Sequence, residues 1–120
     1  MKQKVHSVSY LAKAEFEFKN GVYDLVALPT GAEVVKVSLE TVGTPTVGAI
    51  SVGFKDETNK NYFLNLEEII NNKIATSAKD YTATSNKVVV AEVKKAPNNN
   101  DVKVVLRVLY FLPSVIEVEY

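Results

Sequence analysis

Apolar and polar residues alternate along most of this chain, and a period of two is the pattern of β-strands with one buried face. The clearest example lies at 28–40, where a turn containing Pro29 and Gly31 leads into an alternating run. The apolar positions of this run that we expect to face the core are Val35, Val37 and Leu39. The segment therefore predicts a tight turn followed by a central strand.

A hairpin is predicted near the N-terminus. Residues 14–18 alternate between apolar and acidic side chains, and Asn20 and Gly21 follow directly. Asn-Gly between two strand-like runs is typical of a two-residue hairpin with a type I′ turn, which needs positive φ at both central residues. We therefore expect 14–18 to pair antiparallel with 22–28.

Further alternating runs, each with one apolar face, lie at 50–54, 87–93 and 102–112. The one helix that the sequence favours is a short one at 66–71, where Asn65 can cap the first turn. The segment 75–84 is rich in Thr, Ser and Ala and has poor periodicity, so we predict a loop and a short strand there.

The end of the chain carries more apolar surface than its own strands can bury. The second face of 102–112 begins with Lys103 and Arg107 but ends with Leu109 and Phe111, so we expect its C-terminal half to be covered. The residues after Pro113 alternate again, and their apolar face also needs a partner. The predicted subunit interface consists of Leu109, Phe111, Ile116, Val118 and Tyr120.

Short β-runs separated by Gly, Pro and Asn, with almost no helix, favour an all-β fold. The predicted architecture is an antiparallel β-sandwich of the jelly-roll type, with a single barrel as the alternative. A chain of 120 residues is predicted to form one domain, spanning 1–120, with its ends at 1–12 and 114–120 engaged with neighbouring subunits.

Composition and charge narrow the function by exclusion. The chain is 47% hydrophobic, has a formal net charge of +0 and contains no cysteine. Such a chain is globular, has no disulfide framework and lacks the charge that would attract nucleic acid or anionic lipid. The N-terminus has no continuous apolar stretch, so we predict no secretory signal, and no segment reaches membrane-spanning length. We therefore expect neither nucleic-acid nor membrane partners.

No set of residues predicts catalysis, a metal site or a cofactor. His6 is the one histidine, and it has no neighbouring partner for nucleophilic or metal chemistry; its functional interpretation is a pH-sensitive contact between subunits. The loop 56–61 is polar and partly acidic, but Lys60 stands where a calcium loop of the EF-hand type needs an oxygen ligand. We therefore predict a protein that is not an enzyme.

Carbohydrate binding is the main alternative. A jelly roll can present aromatic rings and polar loop residues to a sugar. The nearest candidates are Asp56, Asn59, Asn61, Tyr62 and Tyr81. Tryptophan is absent, and aromatic residues on strands belong to a core or an interface more often than to a sugar platform.

Five short motifs follow one another along the chain: Leu-Pro-Thr-Gly-Ala at 28–32, Val-Lys-Val at 35–37, Ser-Val-Gly at 51–53, Phe-Leu-Asn at 63–65 and a valine-rich run at 104–113 that ends in proline. A chain with these motifs resembles the small virion proteins of tailed bacteriophages. In that family a similar turn opens a β-strand, and a valine-rich strand ends near proline. The resemblance covers about 22–113, and the segment 114–120 extends beyond it.

The resemblance implies a structural protein of the virion, assembled in the host cytoplasm. It would bind the outside of the capsid or the head-tail junction as a decoration, cement or fibre-base subunit, with no substrate and no cofactor. Its partners would be copies of itself, in a homo-oligomer such as a trimer, and the phage capsid or another virion protein.

Overall fold

The computed structural model describes residues 1–44, 47–55, 60–67, 74–98, 100–113 and 115–119, the last segment as backbone. Within these residues the chain forms β-strands and no helix. The strands are β1 (Lys2–His6), β2 (Ser9–Glu17), β3 (Gly21–Leu28), β4 (Glu33–Val42), β5 (Ala49–Phe54), β6 (Leu64–Leu66), β7 (Ile74–Ser77), β8 (Tyr81–Thr82), β9 (Lys87–Lys94), β10 (Lys103–Phe111) and β11 (Val115–Glu119).

Nine of these strands form two antiparallel sheets that pack face to face. The first sheet has the order β2-β10-β4-β7, with β8 paired to the start of β4. The second sheet has the order β3-β9-β5-β6. The prediction of an all-β antiparallel sandwich is confirmed, and the alternative of a single barrel is wrong, because the two sheets are separate.

The remaining two strands, β1 and β11, pair with each other and form the terminal ribbon. The ribbon continues the β2–β10 pair, because the Leu112 N–H donates to the Val8 carbonyl at 2.8 Å and His6 then faces Val115. Between these two contacts the N-terminal segment has one residue and the C-terminal segment has two. A run from Lys2 to Glu17 extends roughly 53 Å at about 3.3 Å per residue. The long axis of the molecule is 57 Å, and its other dimensions are 24 and 19 Å.

The core lies between the two sheets and is filled from their inner faces. Its largest fully buried side chains are Phe18, Phe54, Leu28, Leu39, Ile50 and Leu106. The predicted inward positions Val37 and Leu39 are fully buried, and so is the alternating set on β5. The alternation at 87–93 and 102–112 also predicts the buried faces of β9 and β10 correctly.

Val35 does not face the core as predicted. It is half-buried, whereas its neighbour Val34 is fully buried. The register between β4 and β10 shifts at this point, since Leu109 faces Lys36 but Tyr110 faces Val34. Val35 is the extra residue of a β-bulge, and one extra residue reverses the alternation on either side of it.

The predicted hairpin at Asn20 and Gly21 is wrong. β2 pairs with β10 in the first sheet, whereas β3 pairs with β9 in the second. Gly21 has a positive φ of 150°, but Asn20 does not have one, so the type I′ geometry is not formed. The chain instead crosses from one sheet to the other between residues 18 and 20.

Two asparagine side chains hold this crossover to the loop at 95–102. The Asn20 Oδ1 accepts the Ala96 N–H at 2.8 Å. The Asn100 Nδ2 donates to the Phe18 carbonyl at 2.9 Å and to a loop carbonyl at 2.7 Å, while its Oδ1 accepts the Val102 N–H at 3.0 Å. Phe18, at the centre of the crossover, is fully buried, so these amides fix the residue that closes this end of the core.

The predicted helix at 66–71 does not begin as expected. Leu66 is the last residue of β6, where it faces Ile50 of β5, and Asn65 is a strand residue that faces Ser51. Residues 68–71 lie outside the described part of the chain. The segment 75–84 contains the end of β7 and the short β8, in agreement with the predicted loop and short strand.

Replacing Asn100 with alanine tests the amide contacts of the crossover. We expect N100A to lower the free energy of unfolding by about 1–3 kcal/mol, because it leaves partly buried backbone groups without their partners. N98A is the matched control, since Asn98 is exposed in the same loop and has no side-chain hydrogen bond among the described residues; it should change stability by about 0.5 kcal/mol at most. Chemical denaturation measures both, and equal effects would contradict the assignment.

Candidate subunit interface

The turn at 28–32 lies at the base of the terminal ribbon. Gly31 has a φ of +88°, and its N–H donates to the Ala83 carbonyl at 2.6 Å. A Cβ on Gly31 would lie 2.7 Å from the Cβ of Pro113, the residue with which the chain leaves β10 for the ribbon. The turn that the sequence analysis singled out is therefore packed against the point where the ribbon begins.

The single histidine also lies at this base. The His6 Nδ1 is 3.0 Å from the Leu112 carbonyl oxygen, and the ring is half-buried. Because the carbonyl can only accept, the proton of this bond is on Nδ1. Its contact ties β1 to the end of β10 within one chain; the pH-sensitive contact between subunits stays a prediction.

Two of the predicted interface residues lie on the outer face of the first sheet. Leu109 and Phe111 are both half-buried there. Leu11 faces Leu109 across the β2–β10 pair and is 62% exposed. These three residues form the outer patch, which reaches the edge of the sheet next to the ribbon.

Two further interface residues lie in the ribbon, where Ile116 faces Val5 and Val118 faces Gln3. Directly opposed residues share one face of an antiparallel pair, and successive pairs alternate between faces. The pairs of the other face are Lys2 with Glu119, Lys4 with Glu117 and His6 with Val115. The register thus separates a face that is apolar except for Gln3, which we call the apolar face, from a face with two pairs of opposite charge. Tyr120, the last predicted residue, lies outside the described part of the chain.

The different numbers of residues in the two segments at the ribbon base relate the outer patch to the apolar face of the ribbon. On the C-terminal strand the outer patch uses odd-numbered positions and the apolar face of the ribbon uses even-numbered ones, and one added residue lies between them. The N-terminal strand has no added residue, and both Val5 and Leu11 are odd-numbered. If the alternation continues across the base, we expect both groups to lie on the same side of the molecule. We call this set the apolar strip; its members are Val5, Leu11, Leu109, Phe111, Ile116 and Val118.

The aromatic candidates for sugar binding lie next to each other, but their rings already contact other side chains of this chain. The Tyr62 and Tyr81 ring centroids are 5.5 Å apart, and they lie 5.3 and 4.4 Å from that of Phe54. The Lys79 Nζ lies 3.9 Å from the centroid of the Tyr62 ring. A stacking platform needs an open ring face, which these contacts reduce. Asn61 is exposed next to Tyr62, whereas Asp56 and Asn59 lie outside the described residues, so carbohydrate binding stays a prediction.

The charged groups of the described residues are at the surface. The Arg107 Nη1 lies 3.0 Å from the Glu40 Oε1 on the outer face of the first sheet. The Lys19 Nζ lies 2.8 Å from the Glu17 Oε2, and both side chains are exposed. The hydrogen bond from Lys19, and then its charge, hold the pKa of Glu17 below its usual value. In the part of the chain that the structure describes, no cluster of His, Cys, Asp or Glu could hold a metal ion. No helix among the described residues is long and apolar enough to cross a membrane.

The whole chain matches a chain of a solved capsid structure. The chain is similar to a chain of the acidic stable capsid structure of Helicobacter pylori bacteriophage KHP30, with 73% sequence identity and a TM-score of 0.92 over 100% of both chains. No protein-family model and no curated protein matches.

Two more distant structures share the fold. A chain of the cyanophage Pam1 capsid asymmetric unit has 22% identity and a TM-score of 0.67, with 88% of this chain and 85% of that chain covered. A chain of the capsid of Ralstonia phage GP4 has 14% identity and a TM-score of 0.65, with 92% and 88% covered. At these identities the likeness is one of fold.

Replacing Gly31 with alanine tests the contact at the ribbon base. We expect G31A to lower the free energy of unfolding by about 2–4 kcal/mol, because positive φ and the collision with Pro113 both oppose a Cβ. G21A is the control for φ alone, since the nearest atom to its Cβ would be 3.8 Å away, in Tyr23; we expect a loss of about 1 kcal/mol. Hydrogen exchange should show faster exchange at 2–6 in G31A than in G21A. Equal exchange at these residues would contradict the proposed contact.

Proposed function

The chain belongs to a family of bacteriophage capsid proteins and is a structural, non-enzymatic component of the virion, and on this premise we propose that it is a decoration or cement subunit bound to the capsid exterior. The observation that carries the proposal is the terminal ribbon with its apolar strip. Among the described residues, no third strand pairs with β1 or β11, so both edges of the ribbon are available to a neighbour.

A two-stranded ribbon needs a surface to pack on. Isolated two-stranded hairpins are at best marginally stable in water, and a third strand or a packed layer is normally required. Here the charged face can be solvated, whereas Val5, Ile116 and Val118 share the opposite face. Burial of that face against another subunit supplies the missing layer and stabilises the ribbon by about 25 cal/mol per Å² of apolar surface buried.

The elongated shape favours a role between subunits. The molecule is 57 Å long and only 24 by 19 Å in cross-section, so the ribbon can contact one neighbour while the sandwich rests on another. A subunit that contacts two neighbours opposes their separation, which is what a cement protein does. With a formal net charge of +0, recognition depends on shape and apolar contact more than on long-range attraction.

Copies of this chain are the first partners that we propose. The apolar strip spans the ribbon base and the outer patch, and a homo-oligomer such as a trimer would let the ribbon of one copy pack on the next. Cyclic symmetry repeats the same contact at every subunit, so a modest interface is used several times in a closed ring. The capsid surface beneath the oligomer is the second partner.

Binding to capsids assembled without this protein tests the proposal. We expect the wild-type chain to bind such capsids and to raise the temperature at which they release DNA. V5D and L109D should each bind at least about tenfold more weakly, since a carboxylate in an apolar contact costs more than about 1.4 kcal/mol.

V22D is the matched control, because Val22 is 46% exposed on the second sheet, away from the strip. It should bind like the wild type. V5D is included because L109D changes a half-buried residue and its folding has to be checked by circular dichroism. Normal binding by a folded V5D together with a folded L109D would contradict the assigned surface, and failure of capsids to assemble at all without the protein would contradict a decoration role.

We also propose that this chain tolerates acid, as the name of the related KHP30 capsid states for that particle. The buried polar side chains in the described part of the chain are Thr41 and Ser77, neither of which ionises. The crossover is held by asparagine amides, which do not ionise and therefore keep their hydrogen bonds as the pH falls. The carboxylates of Glu40, which pairs with Arg107, and of Glu33, which accepts from the Thr82 hydroxyl, lie at the partly exposed surface, so we expect their ionisation to contribute little to stability.

The pH dependence of thermal unfolding follows from Glu17. Its pKa is lower in the folded chain than in the unfolded one, so the contribution to stability is present above the unfolded pKa and is lost as the pH falls through the folded pKa. Because the pair with Lys19 is fully exposed, that loss is small. We expect the Tm to change little between pH 7 and about pH 5 and to fall slightly below about pH 4, with a smaller fall in E17Q. Unfolding caused by acid alone, without heating, at a pH above 4 would contradict acid tolerance.

A further inference from the structure

The outer edge of β2 has a row of free backbone groups. β2 is the edge strand of the first sheet and pairs there only with β10. The hydrogen bonds at its two ends, between Val8 and Leu112 and between Phe18 and Val102, show that the even-numbered residues bond to β10. In an antiparallel pair the alternate residues then direct their N–H and C=O groups away from that partner. From Ser9 to Glu15 the odd-numbered residues of β2 therefore form an edge that can accept another strand, whereas the Glu17 carbonyl already accepts the Lys19 N–H at 2.8 Å.

We propose that this edge binds the same edge of a second copy, antiparallel, about a two-fold axis at Ala14. In this register Lys13 of one copy faces the partner's Glu15, and Glu15 faces the partner's Lys13. The two sheets then join into one continuous sheet. Leu11 is the one member of the apolar strip on this strand, and the central contacts at residues 13–15 lie outside the strip, so the proposal does not depend on the proposed cement function.

The outward N–H and C=O groups of β2 allow several registers, and the charges of the side chains favour the one centred on Ala14. Because odd-numbered residues must pair with odd-numbered residues, the neighbouring registers are centred on Lys13 or on Glu15. Those place two lysines or two glutamates directly opposite each other, which is destabilising. The register centred on Ala14 gives opposite charges at both central pairs. Lys13 Nζ and Glu15 Oε1 are already 3.7 Å apart within one chain, so the four groups would alternate in sign around the axis.

The inner face of β2 also permits close approach. Ala14 would face the partner's Ala14, and Ala12 would face the partner's Phe16, so small side chains occupy the centre of the contact. Lys13 and Glu15 have side chains that are 52% and 62% exposed and are available for pairing. One strand pair is a small contact, and we expect it to be weak between free subunits and effective where the capsid holds many copies at high local concentration.

Disulfide trapping tests the register, because the natural chain has no cysteine. Residues at a non-hydrogen-bonded position such as 14 have Cα atoms about 4.5 Å apart across the pair, within the range of about 4.4–6.8 Å that a disulfide spans. In A14C the two cysteines would therefore face each other. In A12C they would be offset by four residues, roughly 13 Å, which is too far.

Under a mild oxidant we expect A14C to form covalent dimers at least about tenfold faster than A12C. The two alanines are matched, since both are half-buried on the same face of the same strand. Adding K13E to A14C should slow the cross-linking because glutamates would then face each other, and adding K13E with E15K should restore it. K55E, which removes the exposed ion pair of Lys55 with Asp24 on the second sheet, is the charge control and should have no effect.

Equal cross-linking of A14C and A12C, or a rate for A14C that K13E does not change, would overturn the proposal. V5D separates this contact from the proposed cement surface. We expect V5D in the A14C background to cross-link normally although it binds capsids more weakly. If V5D instead abolishes the cross-link, the ribbon brings the copies together and the β2 edge does not.

Discussion

The pairing of the N-terminal strand with the C-terminal strand is the interaction on which the rest of the structure depends. β10 lies between β2 and β4 in the first sheet, so it joins the first strand of the sandwich to the central strand after the 28–32 turn. The same two segments then continue beyond the sandwich as the terminal ribbon. At the ribbon base Gly31 packs against Pro113, and we expect the outer patch and the apolar face of the ribbon to lie on one side of the molecule.

This arrangement explains why local patterns predicted the strands better than their partners. Alternation depends on which face of a strand is buried, and it identified the inward residues of β5, β9 and β10 correctly. It could not identify the partner strand, because pairing of β2 with β10 joins residues about ninety positions apart. Asn-Gly was a good signal for a turn, but the burial of Phe18 and the contacts of Asn100 favour a crossover between sheets at that place.

The proposed interface combines residues that the sequence suggested with residues that only the strand register brings to the same place. The apolar residues at the C-terminus were visible because they had no partner in their own strands. Val5 and Leu11 were missed, since the N-terminal residues are mostly polar and their significance depends on the register with β11 and β10. The bulge at Val35 was also not predicted, because the composition of the segment does not show that one residue is extra. Knowledge of the register was needed for both.

The central claim is that the apolar strip is buried against neighbouring subunits in the virion. Hydrogen-deuterium exchange of the free chain and of the capsid-bound chain tests it most directly, since it reports on the backbone of both ribbon strands at once. The account predicts that amides at 2–6 and 115–119 exchange rapidly in the free protein and become strongly protected on the capsid. Unchanged exchange at these residues, with protection confined to the second sheet, would contradict it.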